Sequence, residues 1–358
     1  MTPVELSRTV LHAVRRAVDE GELCVTVPER VVVAPPGPGG CGDYATPVAL
    51  QLARAAGESP HRVAGILRAR LLQERRITDV VVTGPGFLNL RLRGDTSADL
   101  VAEILRCGQR YGHITAPNPS GRLLLRCPAE VRAVVVADAL ARVARSQGFV
   151  PRFACDGPVD PQWPTALGLD SDTDTDTDSD TDTDSAQHPG DDTAPALRPA
   201  PAPADPLPLG RDAARWALLY PAGHDRPRVT GEHLVQRESN PLFRVRYAHA
   251  RTRALLRNAA DLGFHPEPGP VDAPSLLTGL RDHPRVLAAT VADRAPDRLA
   301  RHLVAVADAT LPALHSVLPL GEEKPSAAHR ARLALAEAAG TVLAGGLSLL
   351  GIDAPAHL

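Results

Sequence analysis

The chain has 358 residues, 44% of them hydrophobic and 23% charged, enough to bury a sizeable core and to form two domains or three. Its net charge of −3 conceals an uneven layout: residues 156–210 hold thirteen Asp and one Arg, a balance of −12, so the remainder carries +9 and suits polyanionic partners. No run reaches the roughly 20 apolar residues that cross a bilayer, and five scattered cysteines without a Cys-x-x-Cys pair suggest neither a disulfide framework nor a zinc site.

All but one of the 39 basic residues are Arg, Lys324 being the exception, which suits phosphate contacts and would equally follow from biased codon usage. The N-terminus mixes Glu5, Arg8, Arg15, Arg16 and Asp19 into an amphipathic pattern, unlike a secretory signal. A cytoplasmic protein with no cofactor, no metal and no membrane contact is expected.

In chain order, residues 3–19 have a helical period and read as a helix, and Val31 to Ala34 is a β-branched run that reads as a strand before a Pro/Gly-rich turn. Pro47 and Ser59-Pro60 open two further helices, with Ser59 as N-cap. Thr78 to Thr83 and Phe87 to Arg93 flank Gly84-Pro85-Gly86 and read as a hairpin. Leu123 to Leu125, Val131 to Gln147 and Val150 to Ala154 form a strand-helix-strand unit.

From Gly157 to about Pro208 the composition changes. Asp170 to Asp184 alternates Asp with Ser or Thr, eight carboxylates on every second residue, flanked by Pro and Ala clusters. Such a segment buries too little apolar surface to offset its ordering entropy, so a disordered linker is expected. At about 5 to 6 Å times the square root of its length it spans on the order of 40 Å. A calcium reading fails because the loop Gly and closing Glu of an EF-hand are missing. The tract is read as a spacer, with nucleic-acid mimicry that covers a basic helix in cis as the alternative.

Beyond Gly210 the pattern is all-helical: Arg211 to Leu219, Pro241 to Leu262, Ser275 to Asp282, Arg285 to Ala292, Pro296 to Leu314 and Ala327 to Leu350, with Pro284 and Pro296 placed in first turns. The stretch Asn240 to Ala259 combines an apolar stripe, Leu242, Val245, Ala248, Leu255, Leu256 and Ala259, with Arg244, Arg246, Arg251, Arg253 and Arg257 and no acid. Arginine forks bind phosphate oxygens two at a time. A solvated face of an ordinary surface helix is the competing reading.

Asn240-Pro241 followed by Tyr247-Ala248-His249-Ala250-Arg251 resembles the entry helix of the anticodon-binding domain of arginyl-tRNA synthetase. The resemblance continues through Gly210 to Arg215, Pro284 to Leu287, Arg332 to Leu335, and Gly346-Leu347 to Ala354-Pro355. Gly42 to Thr46 with Ala49 to Ala53, and Gly84 to Asn89, resemble the family's N-terminal domain, whose contact with a tRNA D-loop implies a role for Phe87 and Asn89. An aromatic face stacks on an unpaired base and an amide reads its edge; a core Phe87 and a turn-bonding Asn89 are the competing reading.

Arg132 to Arg142 and Gly148 to Gly157 resemble the first catalytic-domain helix and the segment after it. The family's Pro-Leu-His-x-Gly-His loop is missing, since Cys127-Pro128-Ala129-Glu130 leads directly into the helix. Pro199 to Pro208 stands where a Lys-Met-Ser-Lys loop should precede Gly210. Losing one preorganised donor of this kind costs about 3 to 4 kcal/mol of barrier. Phe264 is the last aromatic, and Gly340, Ala344 and Gly345 replace larger polar residues of the family, at positions that bear on anticodon specificity.

The resemblance implies an α+β protein: an N-terminal domain at 1–112, a truncated Rossmann remnant at 113–156, a disordered linker at 157–208, and an all-α DALR-type anticodon-binding bundle at 209–358. It further implies a paralogue without a catalytic core, similar to the ArgS-related anticodon-binding proteins, with no catalytic residues. It would bind tRNA or a structured RNA, and not DNA, through Arg244, Arg246, Tyr247, His249, Arg251, Arg253, Phe87 and Asn89. Residual arginine-tRNA ligase activity and a module docking on a synthetase are the alternatives.

Overall fold

The computed structural model describes residues 3–37, 40–74, 76–92, 97–114, 122–170 and 196–358. The expected disorder of the Asp/Ser/Thr tract, and its covering of a basic helix, concern residues 171–195 and lie outside the described residues. The fold is α+β and divides into two compact units, Met1–Leu100 and Val101–Leu358.

In the first unit α1 (Pro3–Asp19) buries Leu6, Val10, Ala13, Val14 and Ala17, one stripe at helical spacing. It packs with α2 (Val48–Ala56) and α3 (Pro60–Leu71) around an antiparallel sheet in the order β1-β3-β2, formed by β1 (Tyr44–Thr46), β2 (Ile77–Thr83) and β3 (Phe87–Leu92). Ser59 caps α3 as expected, accepting from the Arg62 amide. The β2–β3 hairpin forms across Gly84 and Gly86, both at positive φ. Val31 to Ala34 departs from the expected strand: Val31 and Val33 are buried, but only Ala34 makes a bridge, to Ala45. Pro35 and Pro36 follow directly and have no N–H to extend a ladder.

The helix α4 (Ser97–Cys107), unanticipated from the sequence, carries the chain into the second unit. There β4 (Arg122–Pro128), α5 (Val131–Ser146) and β5 (Val150–Asp156) make a parallel strand-helix-strand unit. Two strands alone have marginal stability. Fourteen of the sixteen α5 residues are buried, so the helix is a central core element. It packs against α7 (Gly210–Leu219) and α9 (Pro274–Ala292), two members of a helical array completed by α8 (Pro241–Asp261), α10 (Pro296–Ala313) and α11 (Ala327–Leu349).

The two helices expected on either side of Pro284 are instead the single helix α9. Proline inside a helix removes one ladder bond and costs about 3 kcal/mol. The buried stripe Leu276, Leu280, Pro284, Leu287 and Val291 nevertheless runs through without a break, so packing holds the helix together. The described flanks of the acidic tract, expected as linker, also belong to the fold. Residues 157–170 include α6 (Gln162–Leu167), and Leu197 is buried with its N–H bonded to Arg126 O at 2.7 Å.

Two buried arginines make these attachments. Arg132 on α5 donates to five carbonyls, those of Leu218, Ala200, Asp225, Pro221 and Ala222, at 2.7 to 3.0 Å. Arg215 on α7 donates to Leu350 O, Leu167 O and Asp138 Oδ2. Burial pushes the Asp138 carboxyl up, but Arg215, Arg142 and the Asp170 amide outweigh it and hold it below the ordinary range. Gly351, at φ 70°, completes the site, because a Cβ there would lie 2.4 Å from the Arg215 guanidinium.

A second buried cluster stacks Tyr111 on His283 (6.1 Å) and His283 on His302 (5.3 Å). His283 Nδ1 and His302 Nε2 have no hydrogen-bond partner among the described residues. Burial holds His283 well below 6.5, with His302 and His113 adding to the effect, and burial lowers His302 to about 4.

Removing one member of the Asp138–Arg215 pair by Asp138→Ala strands a buried charge and should lower unfolding free energy by about 3 to 5 kcal/mol in chemical denaturation; a loss near zero would refute the role given to the pair. In the window between 6.5 and about 4 the unfolded chain binds protons that folded His302 refuses, so stability falls as pH drops. The slope is at most about 1.4 kcal/mol per pH unit for each such histidine. Urea midpoints from pH 7 to 4.5 should therefore fall less steeply in His302→Gln than in the parent, and parallel profiles would disprove this.

Candidate functional site

The basic helix α8 starts at a doubly anchored cap. Asn240 Oδ1 accepts from the amides of Leu242 and Phe243, while its Nδ2 donates to His233 O and Val235 O, each at 2.9 Å. Pro241 occupies N1, where its missing N–H is not needed. The Asn-Pro pair thus sets both the first residue of the helix and the direction from which the chain enters it.

Leu242, Val245, Ala248, Thr252, Leu255 and Ala259 form the buried stripe against α10 and α11. At 100° per residue the arginines divide into two rows flanking that stripe. Arg246, Arg253 and Arg257, with His249, make one row. Arg244, Tyr247 and Arg251 make the other.

The first row is largely engaged by the chain's own end. Arg246 pairs with Asp212 and donates from Nε to Asp353 O at 3.1 Å. His249 is buried and its Nδ1 lies 3.0 Å from Pro355 O, so Nδ1 carries the proton and Nε2 is left as an acceptor. Burial pushes His249 below its ordinary value, although the Pro355 carbonyl works against this. Arg257 reaches Ala356 O at 3.5 Å. Arg253 is exposed and makes no ion pair among the described residues.

The second row is more open. Arg251 is exposed without an ion pair among the described residues, and Tyr247 is 38% exposed with its ring stacked on Phe243 at 5.5 Å. Arg244 is half-buried, held by Asp308 at 3.3 Å, and its buried Nε has no partner among the described residues. A planar ring beside the exposed Arg251 guanidinium can stack on a base while the cation meets phosphate.

Between α8, α11 and the C-terminal tail lies a groove of about 610 Å³. It brings His249 and Arg253 together with Arg142, Arg211, Glu337 and Thr341. Burial raises the Glu337 carboxyl, against the pull of Arg253. The floor comes from α11, where Gly340 and Ala344 stand. A Cβ on Gly340 would lie 2.2 Å from Thr252 Oγ1, and one on Gly345 would lie 2.7 Å from Gln109 O, so these small residues permit close helix packing.

In the first unit the two proposed D-loop residues have different surroundings. Phe87 is 39% exposed at the start of β3. Asn89 is 2% exposed, and its amide is engaged: Nδ2 donates to Thr83 Oγ1 at 2.6 Å and to Val81 O at 3.2 Å, and Oδ1 accepts from the Cys41 amide. Asn89 holds the hairpin that presents Phe87.

Residues 5–92 match the family model described as the arginyl tRNA synthetase N terminal domain, and residues 245–358 match that of the DALR anticodon binding domain. The chain carries the two terminal domains of the arginyl-tRNA synthetase family. An arginine–tRNA ligase of Frankia alni is 42% identical over 161 residues, which are 42% of this chain and 29% of that protein. Its counterpart from Renibacterium salmoninarum is 37% identical over 163 residues, 41% and 29% of the two chains. The matched stretch therefore spans under a third of the length of these relatives.

Among solved structures, Thermus thermophilus arginyl-tRNA synthetase superposes with a TM-score of 0.62 at 16% identity, covering 100% of both chains. The Plasmodium falciparum enzyme gives 0.58 at 8% identity over 99% of each. At such identities the likeness is one of fold.

Around this groove, sequence reasoning found α8 but missed Arg142, Arg211 and Glu337. Arg142 and Arg211 lie inside stretches that resemble the family, yet their approach to α8 depends on contacts from distant parts of the chain that no local pattern records. The packing reading of the glycines is testable. Gly345→Ala should lower stability by about 1 to 3 kcal/mol through overpacking. Gly65→Ala on α3, with no atom within 4 Å of the added Cβ, should raise it by about 0.4 to 1 kcal/mol. Thermal melts that moved both variants in one direction would contradict this.

Proposed function

We propose that the protein binds tRNA, or an RNA folded like it, as a non-catalytic relative of arginyl-tRNA synthetase. The observation that carries this reading is the open row on α8, where exposed Arg251 and the Phe243-backed Tyr247 ring stand beside Arg244 in a domain of the anticodon-binding type. Arg253 and His249 add a second, recessed contact at the groove, and Phe87 offers a stacking face in the N-terminal domain. Arg246 and Asn89 act as positioning residues, because Arg246 is bonded to Asp212 and the tail while Asn89 is bonded within its hairpin.

The non-catalytic part of the reading is supported by the turn between β4 and α5. Only Ala129 and Glu130 separate these elements, and Glu130 is the helix N-cap, accepting from the Ala133 amide at 3.0 Å. A phosphate-stabilising histidine loop has no place in so short a connection. The single lysine, Lys324, lies in the connection between α10 and α11.

Mobility-shift titrations of tRNA across a salt series test the proposal. Arg251→Ala and Arg253→Ala should each weaken binding and reduce the slope of log K against log salt by about one or slightly less. Tyr247→Ala should lower affinity with the salt slope kept. Affinity for tRNA no better than for an unstructured polyanion would overturn the RNA reading, and arginine-dependent exchange of pyrophosphate into ATP would overturn the non-catalytic one.

A further inference from the structure

Cys127 and Cys155 stand 28 residues apart in the chain, with α5 between them, and no local spacing marks them as a pair. Parallel pairing of β4 with β5 sets them directly opposite each other, Cys127↔Cys155, and brings their sulfurs to 3.6 Å. Paired residues on neighbouring strands have Cα atoms about 4.8 Å apart, inside the range of about 4.4 to 6.8 Å that a disulfide bridges. The other three cysteines, Cys24, Cys41 and Cys107, are free thiols with no sulfur partner among the described residues.

The two thiols have different environments. Cys127 is fully buried, whereas Cys155 is half-buried. The hydrogen bond from Cys127 lowers the Cys155 thiol below its ordinary value, and the same contact, with burial, raises Cys127. One sulfur is therefore placed to react with an incoming oxidant, and its neighbour to resolve the product.

We propose that Cys127 and Cys155 form an oxidation site that closes reversibly into a disulfide between β4 and β5. With hydrogen peroxide as oxidant, the Cys155 thiolate attacks one peroxide oxygen and the O–O bond breaks. Cys155 becomes a sulfenic acid, and the departing hydroxide takes up a proton to leave as water. The Cys127 sulfur then attacks the Cys155 sulfur, the S–O bond breaks, and the hydroxyl departs as a second water with the Cys127 proton. Two thiols and one peroxide thus yield one disulfide and two waters; a dithiol such as dithiothreitol returns both thiols by exchange. Across a two-stranded pair the bond ties together the elements that enclose α5. The inference does not depend on RNA binding.

The test uses the full chain with Cys24, Cys41 and Cys107 replaced by serine, so that the pair alone titrates. Limited peroxide should take the thiol count from two to none, lower the intact mass by two hydrogen atoms, give a Cys127–Cys155 linked peptide, and reverse fully with dithiothreitol. In the same background, Cys155→Ser should slow loss of the remaining thiol at least about tenfold. The same linked peptide should be found in the unmutated chain, where five thiols fall by two before any other product forms, so the test does not depend on how the serine variants fold. Accumulation of sulfinic acid on Cys155 while Cys127 stays a thiol, or links only between molecules, would overturn the proposal.

Discussion

The second unit depends on arginine side chains buried where carbonyl groups converge. Prolines and chain ends leave carbonyls without partners, and a buried acceptor left unpaired costs about 1 to 3 kcal/mol. Arg132 answers five of them at once, including Ala200, Pro221 and Ala222 in stretches that form no regular secondary structure. Arg215 does the same for the ends of α6 and α11 while its charge is balanced by Asp138. A planar guanidinium with five donors is the one side chain suited to this. The short sheet, the Pro/Ala-rich stretch and the helical array are thus one structure, although the sequence between them changes character twice.

This explains how a strand-helix-strand piece persists with only two strands. A larger sheet would normally cover α5, and here α7, α9 and α10 contribute that cover. Asp138 faces Arg215 from the same helix that carries Arg132, so α5 is held to α7 at two places. Arg142, one turn on, pairs with Asp138 and with Asp170, the first carboxylate of the acidic repeat.

The candidate interface follows from the same economy of polar groups. On α8 the row near the C-terminal tail is drawn inward, because the tail ends in carbonyls that Arg246, His249 and Arg257 satisfy. On the opposite row Arg244 is held by Asp308, while Arg251 and Tyr247 stay open. Close packing does the rest: Gly340, Gly345 and Gly346 let α11 approach Thr252, Gln109 and Leu303, which places the groove beside α8.

Much of this was legible in the sequence, and the division has a physical cause. Helical period, the Ser59 cap, the Gly-Pro-Gly hairpin and the Leu and Val stripes are local signals, and the elements they mark are present with boundaries within a few residues. The motif Tyr247 to Arg251 likewise located the basic helix. Tertiary structure alone decided which arginines on it are open, since Arg246 and Arg251 look alike in the chain and differ only through Asp212 and the tail. It also decided that Pro284 lies inside one helix, that Asn89 takes up the Cys41 amide, and that Cys127 meets Cys155. Each of these is a contact between residues distant in sequence or a packing force strong enough to override a local preference, and neither is recorded in the order of neighbouring residues.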